Sequence, residues 1–295
     1  MTNSREILGR INSIKDTMKI TNAMYMISSA KVKKARASLE KTEPFFNALE
    51  SMVGRMLKDL ESETDIKNKY FDTRKDIPKE DRVEGYLLIT ADKGLASSYN
   101  HNVIKTVEEK IQGDDSCLLF VVGEVGRRYF QKRNVKIDEM FKYTAQNPTV
   151  NRAREIAETL LEYFIDKKVD EVHVVYTYMG EHNIEEVVSE KILPLEIPKG
   201  DNKSRQNVTF YPDARTVINT VVPTCVSGFI YGALVEAFCA ENNSRMMAMS
   251  SATDAAKDMI KSLQLDYNRA RQSAITQEIT EVVSGANAQK SSNNS

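Results

Sequence analysis

The sequence predicts an α/β protein in which a long antiparallel coiled coil, made of the N- and C-terminal helices, carries an inserted Rossmann-like α/β domain. Three observations predict it. Apolar residues recur in alternating steps of four and three near both ends of the chain. Between those regions, short apolar runs alternate with helical patterns. Polar stretches at residues 65–81 and 199–207 separate the two kinds of pattern.

The N-terminal series runs Ile7, Ile11, Ile14, Met18, Thr21, Tyr25, Ser28, Val32, Ala35, Leu39, Thr42, Phe46, Leu49, Val53, Met56, Leu60. It keeps its phase across Pro44, where a kink is expected without loss of register. A helix of that span is about 80 Å long at 1.5 Å per residue. The C-terminal series runs Met246, Met249, Thr253, Ala256, Ile260, Leu263, Tyr267, Ala270, Ala274, then slips by one to Ile275, Ile279, Val282 and Ala286, as at a local change of supercoil winding. Val226, Ile230, Ala233 and Ala237 extend the same helix upstream, toward a start near Asp213. Each helix has an apolar stripe and the seam is rich in alanine, so the two are expected to cover one another.

In between, VEGYLLIT (83–90), SCLLFVVG (116–123) and EVHVVYTYMG (171–180) read as strands, and EEVVSEKILPLEI and NVTFYPD as further ones. Helical patterns at 100–111, 124–132 and 149–168 alternate with them and imply parallel pairing. The expected divisions are residues 1–75 and 212–288 for the coiled coil, 76–211 for the insert, and a disordered tail at 289–295.

Composition narrows the function. The chain has 295 residues and a formal charge of −1, but residues 1–41 hold nine Lys/Arg against three Asp/Glu, the pattern of a surface for an acidic partner. No apolar run is seen to approach a membrane span, and the start lacks a signal core, so a mature cytoplasmic bacterial chain is expected. Cys117, Cys225 and Cys239 are odd in number and far apart, and read as inert thiols. With His101, His173 and His182 equally scattered, there is no Cys/His metal spacing.

Four segments could carry chemistry. GEVGRR (123–128) follows a strand and opens a helix, yet lacks the full G-x-G-x-x-G, and a tight strand-to-helix turn explains it as well. TADKGLASSYN (90–100) places Asp92, Lys93, Ser97 and Ser98 at the carboxyl end of a strand, where α/β sheets hold ligands; no base is identified for Ser97, and a turn used for a protein contact is the simpler reading. KVKKARASLEK (31–41) is a basic face that either contacts phosphates, lies solvated, or turns against an acidic wall. NRARQSAITQE (268–278) bears Arg269, Arg271, Gln272, Thr276, Gln277 and Glu278, either plain exposed helix formers or a contact patch with Met24, Tyr25 and Met26 facing it.

Several motifs resemble one family. ITQEITEVVSGANA (275–288) is similar to the C-terminal signature of the gamma subunit of F-type ATP synthase, in Ile275, Thr276, Glu278, Glu281, Gly285 and Ala286. SRMMAMSSATDAAKDMIKSLQLDYNRARQ, GRINSIKDTMKITNAMYMISSAKVKKA and ITADKGL fit the same subunit, so the likeness covers nearly the whole chain. It implies a central shaft whose paired termini penetrate a hexamer of alpha and beta subunits. The insert would sit at the foot against the epsilon subunit and the c-subunit ring. Such a shaft couples ion flow to ATP synthesis or hydrolysis in a proton-transporting complex at the cytoplasmic side of the cell membrane, with no catalytic residue and no cofactor of its own. By the family pattern Met24, Tyr25, Arg271, Gln272, Thr276, Glu278 and Glu281 would meet the hexamer, Lys31, Lys33 and Lys34 its acidic loops, and Asp92, Lys93, Ser97 and Ser98 the epsilon subunit or ring. The chain departs from the pattern at Ala96, Ser97 and Ser98, where Cys-Gly-Gly is usual, and at Tyr25, where a charged residue is common. A nucleotide-dependent α/β enzyme with coiled-coil oligomerisation arms is the alternative, and a nucleic-acid scaffold a third.

Overall fold

The computed structural model describes residues 4–60, 69–111, 117–141, 145–180, 185–195 and 214–293. The predicted strand NVTFYPD, the predicted loop KGDNKSRQN, the first residues of the 65–81 linker and the last two residues of the tail lie outside them. The chain packs as two units, Met1–Ile27 with Met246–Ser295, and Ser28–Arg245.

In the larger unit, five strands form one sheet. The elements run α1 (Ser4–Leu60), β1 (Glu84–Ile89), α2 (Tyr99–Ile111), β2 (Leu118–Val122), α3 (Glu124–Lys132), β3 (Glu139–Phe141), α4 (Val150–Ile165), β4 (Glu171–Met179), β5 (Glu185–Leu193) and α5 (Ala214–Asn293). Strand order is β3-β2-β1-β4-β5. Strands β1 to β4 pair in parallel and β5 returns antiparallel to β4. The three-residue β3 carries too short a signal to be read from sequence.

The central strands read as unbroken apolar runs because both faces are covered. Tyr86 and Leu88 point to the side closed by Val103, Ile104 and Val107 of α2 and Phe130 of α3. Leu87 and Ile89, one residue out of phase, point to the other side, where α4 contributes Ile156, Leu160 and Phe164. The start of α5 shares that side: Ile218, Val222, Val226, Ile230, Ala233 and Ala237 are all buried in the same core. Their spacing of three or four is one helical stripe. This corrects the expectation that no apolar run approaches membrane-span length. An 18-residue window of α5 reaches a mean hydropathy of 1.6 and passes by length and composition, but 61% of it is buried inside the protein. Its apolarity is that of a core helix.

Residues 28–60 of α1 lie in this unit as well, and the helix continues through Pro44. Phe46 of α1 meets Tyr231 of α5 with ring centroids 6.1 Å apart. The glycine one turn earlier is required by that contact, since a Cβ on Gly228 would stand 2.1 Å from the Phe46 ring. The described part of the linker is pinned rather than loose: buried Arg74 pairs with Asp170 at 3.3 Å and donates to the Phe164 carbonyl at 2.8 Å.

The smaller unit is a pair of helical segments. Thr21 and Thr253 share a hydrogen bond of 2.7 Å between their hydroxyls, and Lys15, Met18 and Lys19 line one groove with Lys257, Ile260 and Lys261. Rising numbers on α1 therefore meet falling numbers on α5, an antiparallel seam. Ile7, Ile11, Thr21, Met249 and Ala256 are buried along it. Up to Ala270 the sequence series holds except at Tyr25, which is exposed while Met24 is half-buried in its place.

Two corrections follow from that register. With Thr21 opposite Thr253, Ser4 stands opposite Ala270, and no described residue of α1 lies beyond. Residues 271–287 are all exposed, with Ile275 45%, Ile279 58% and Val282 71% accessible, so the N-terminal helix does not cover the end of its partner. Likewise Met24 stands opposite Ser250, roughly 30 Å of helix from Arg271, so Met24 and Tyr25 do not face the Arg271 patch. Where a tail was expected at 289–295, α5 instead continues as helix to Asn293.

Two stability measurements check these contacts. Gly228→Ala is expected to cost about 1–3 kcal/mol by overpacking and to lower the Tm of the full chain, with part of the loss recovered when Phe46→Ala is added; equal losses with and without Phe46 would contradict the contact. Thr21→Val alone leaves the Thr253 hydroxyl without its cross-seam partner and is expected to cost about 1 kcal/mol. The Thr21→Val/Thr253→Val pair, apolar on both sides, should lie closer to wild type in chemical denaturation.

Candidate partner-contact surfaces

Three surfaces carry the residues singled out from sequence. The first is the loop after β1, at the carboxyl edge of the sheet beside the point where strand order reverses. Asp92 Oδ1 accepts from the Glu124 backbone N–H at 3.1 Å, which caps the first turn of α3, while Asp92 Oδ2 is buried without a hydrogen-bond partner among the described residues. Arg245 of α5 donates from Nη2 to the carbonyls of Lys93 and Gly94, at 3.2 Å each. Lys93, Ser97 and Ser98 face solvent, and Leu95 between them is 65% exposed. Leu95 and Ser97 hold positive φ angles, 63° and 49°. The loop is thus tied at its base and displays its tip.

The same edge decides the GEVGRR question. Gly123 has φ 96°, and a Cβ there would lie 2.2 Å from the Thr90 carbonyl oxygen. A Cβ on Gly126 would lie 2.8 Å from Thr90 Oγ1, which accepts from the Gly126 N–H at 3.0 Å. Both glycines answer to packing against Thr90. The neighbouring cavity, of about 370 Å³, is lined by Asp92, Gly123, Glu124, Arg127, Arg128 and Met140 among others. A phosphate there would meet two carboxylates where a dinucleotide loop offers bare N–H groups. Glu124 is already neutralised internally: Arg127 Nε donates at 2.7 Å and Arg128 Nε at 2.7 Å. Those hydrogen bonds hold its carboxyl down at about 2. The arrangement suits a protein contact better than a nucleotide.

Sequence reasoning missed what holds this loop to α5. Arg245 pairs with Glu241 at 2.6 Å, both about nine-tenths buried, and burial raises the Glu241 carboxyl above its ordinary range despite the guanidinium beside it. Asn243 and Ser244 donate to the two oxygens of Glu185 on β5, at 3.2 and 2.5 Å. Tyr99 is enclosed nearby, and burial, with Glu241 and Glu185 adding to it, pushes its phenol well up. The signal was in the sequence: ENNSR (241–245) is a five-residue polar interruption of an otherwise apolar stripe. A buried run of that kind survives only where its polar groups are paired.

The second surface is the basic face of α1. Lys31, Lys33 and Lys34 are all exposed. Arg36, also exposed, donates to the Met179 sulfur at 3.8 Å. The third is the end of α5. Arg271, Gln272, Thr276, Glu278 and Glu281 are fully presented there. Their internal bonds are local to the helix: the Thr276 hydroxyl donates to the Gln272 carbonyl at 2.9 Å and Gln277 to Glu281 at 3.0 Å. None of the three cysteines forms a disulfide among the described residues; Cys239 is buried, which raises it to about 11, and Cys117 and Cys225 are half-buried.

A family model described as ATP synthase matches residues 3–289. The ATP synthase gamma chain of Acetivibrio thermocellus is 44% identical, over 98% of this chain and 100% of its own length. That of Ruminiclostridium cellulolyticum is 42% identical over 97% of this chain and 98% of its own. Among solved structures, the mitochondrial ATP synthase of Euglena gracilis, in a structure described as OSCP/F1/c-ring, contains a chain that superposes with a TM-score of 0.67 at 15% identity, covering 99% of this chain and 96% of that one. The central stalk and c-ring structure from Tetrahymena thermophila gives 0.58 at 21% identity, covering 79% and 99%. At such identities these structures speak for the fold alone, while the family match and the full-length relatives speak for kinship. The chain belongs to the ATP synthase gamma-chain family, the non-catalytic central-stalk rotor subunits of the F-type ATP synthase.

Proposed function

We propose that the chain is the turning shaft of its complex, peripheral to the cytoplasmic face of the cell membrane, with the ends of its terminal helices inside a hexamer of alpha and beta subunits. In this reading residues 1–75 and 212–288 form the shaft. Residues 76–211 form the foot, which meets the epsilon subunit and the c-subunit ring. The observation that carries it is the bare end of α5. Its residues 271–287 are exposed on every side and include Ile275, Ile279, Val282 and Val283. An apolar patch on a helix that no described residue of its own chain covers calls for a surrounding partner. Arg271, Gln272, Thr276, Glu278 and Glu281 meet the hexamer there, and Met24 with Tyr25 forms a separate contact lower on the paired segment. Lys31, Lys33 and Lys34 pass acidic loops of the beta subunits. Lys93, Ser97 and Ser98 are the outward residues of the foot loop, and Asp92 holds that loop in shape. The shaft acts on the catalytic subunits by favouring one of their states over another at each angle, which is a shift of populations.

Affinity purification of the tagged full chain from gently solubilised membranes is expected to recover alpha, beta, epsilon and c subunits with ATPase activity; a chain that purifies without them overturns the reading. In the assembled complex, Arg271→Ala/Gln272→Ala is expected to lower ATPase turnover several-fold without loss of subunits, since truncation of central interface side chains is where contact energy concentrates. Calorimetric titration of the full chain with ATP or NAD should show no binding tighter than ~1 mM; micromolar affinity for either would favour an enzyme built on the sheet.

A further inference from the structure

On the α2/α3 face of the sheet, at the amino end of its two central strands, Glu84 and Tyr86 on β1 stand in register with Glu171 and His173 on β4. Residues two apart on a strand share a face, so the four side chains make a two-by-two patch. One ligand atom each from Glu84, Glu171 and His173 can be chosen so that all three lie within 4.8 Å of one another.

The imidazole is the telling member. His173 Nε2 is buried and has no hydrogen-bond partner among the described residues. It lies 3.6 Å from Glu171 Oε2, too far for a hydrogen bond. Two ligands each about 2.1 Å from a tetrahedral ion are separated by roughly 3.4 Å, close to that spacing. Glu84 offers the third oxygen, within 4.8 Å of the other two ligand atoms.

Each ligand is also aimed by a second group. Arg82 donates to the other oxygen of Glu171 at 2.7 Å. The Tyr86 hydroxyl donates to Glu84 Oε2, and the Tyr86 ring stacks on the imidazole at 5.3 Å and 25°. Outer-shell support of this kind fixes metal ligands in orientation. Lys110 sits 5.6 Å above the Tyr86 ring, and Lys191 of β5 is in register with His173; both residues are exposed.

We propose that Glu84, Glu171 and His173 bind one divalent transition-metal ion, with zinc the expected occupant and water completing its coordination. One imidazole nitrogen with two carboxylates favours zinc over magnesium or calcium, which prefer all-oxygen sets. The ion would join the amino ends of β1 and β4 and, through Arg82, the linker that enters the sheet. Nothing in the chain's local spacing reveals the site, because its ligands come from distant strands that meet only through their pairing.

The test is equilibrium dialysis of the full chain, first stripped with EDTA, against zinc, with bound metal measured directly and Tm followed in parallel. Wild type is expected to bind one equivalent that Glu84→Gln and His173→Gln each weaken at least tenfold, with a zinc-dependent rise in Tm seen only in wild type. Both variants are to be compared with wild type by circular dichroism in EDTA, and if His173→Gln fails to fold, Glu84→Gln alone decides. No zinc on wild type, or equal zinc on wild type and Glu84→Gln, overturns the proposal.

Discussion

The larger unit depends on one burial. The sheet has a face that α4 alone does not close, and α5 closes it with Ile218, Val222, Val226 and Ile230. Each such side chain, fully buried, contributes about 1.5–3 kcal/mol, so the row ties helix to sheet more strongly than the neighbouring ion pairs do. The composition of α5 follows from that. It is apolar where the sheet covers it, polar and internally paired at ENNSR where it meets the β1 loop and β5, and amphipathic from Met246 onward where it meets a single helix. One helix thus reports three environments in succession.

Much of the fold was legible because burial here has simple periods. β1 and β2 are covered on both faces and read as continuous apolar runs, while α4 and the start of α5 show stripes spaced by three and four. The seam of the smaller unit was equally plain, from Ile7 to Thr21 and from Met249 to Ala256. Register was not legible. Heptad spacing says which residues face a partner helix but not which partner residue stands opposite, so the sequence could place Met24 near Arg271 only by supposition. A single cross-helix hydrogen bond, Thr21 to Thr253, fixes what periodicity leaves free. The short β3 and the pinning of the linker by Arg74 were hidden for another reason: each depends on one long-range contact and leaves no local pattern.

The contact residues divide similarly. Lys31, Lys33, Lys34, Arg271 and Gln272 were named as contacts from the family resemblance and are exposed, but exposure alone ranks no contact. At the carboxyl edge of the sheet, electrostatics is the more informative guide. Asp92 occupies the start of α3, and Glu124 is satisfied by the two arginines that follow it, so an edge that in other α/β proteins receives an anion is already filled by the chain's own carboxylates. Gly123 and Gly126 owe their identity to the room that Thr90 takes up, and a motif that resembles ligand chemistry turns out to be a packing solution.

The register of the helix pair also fixes how the smaller unit responds to load. Up to Ala270, α5 is backed by α1, and two packed helices share bending and twisting as stiff members set side by side. Past that residue no described residue backs it, and the backbone is a single helix held by its own hydrogen bonds. Compliances of elements joined end to end add, so under an applied twist the deformation per residue is greatest in the unpaired stretch. Among the described residues, the more compliant stretch of α5 therefore begins after Ala270, opposite Ser4 of α1.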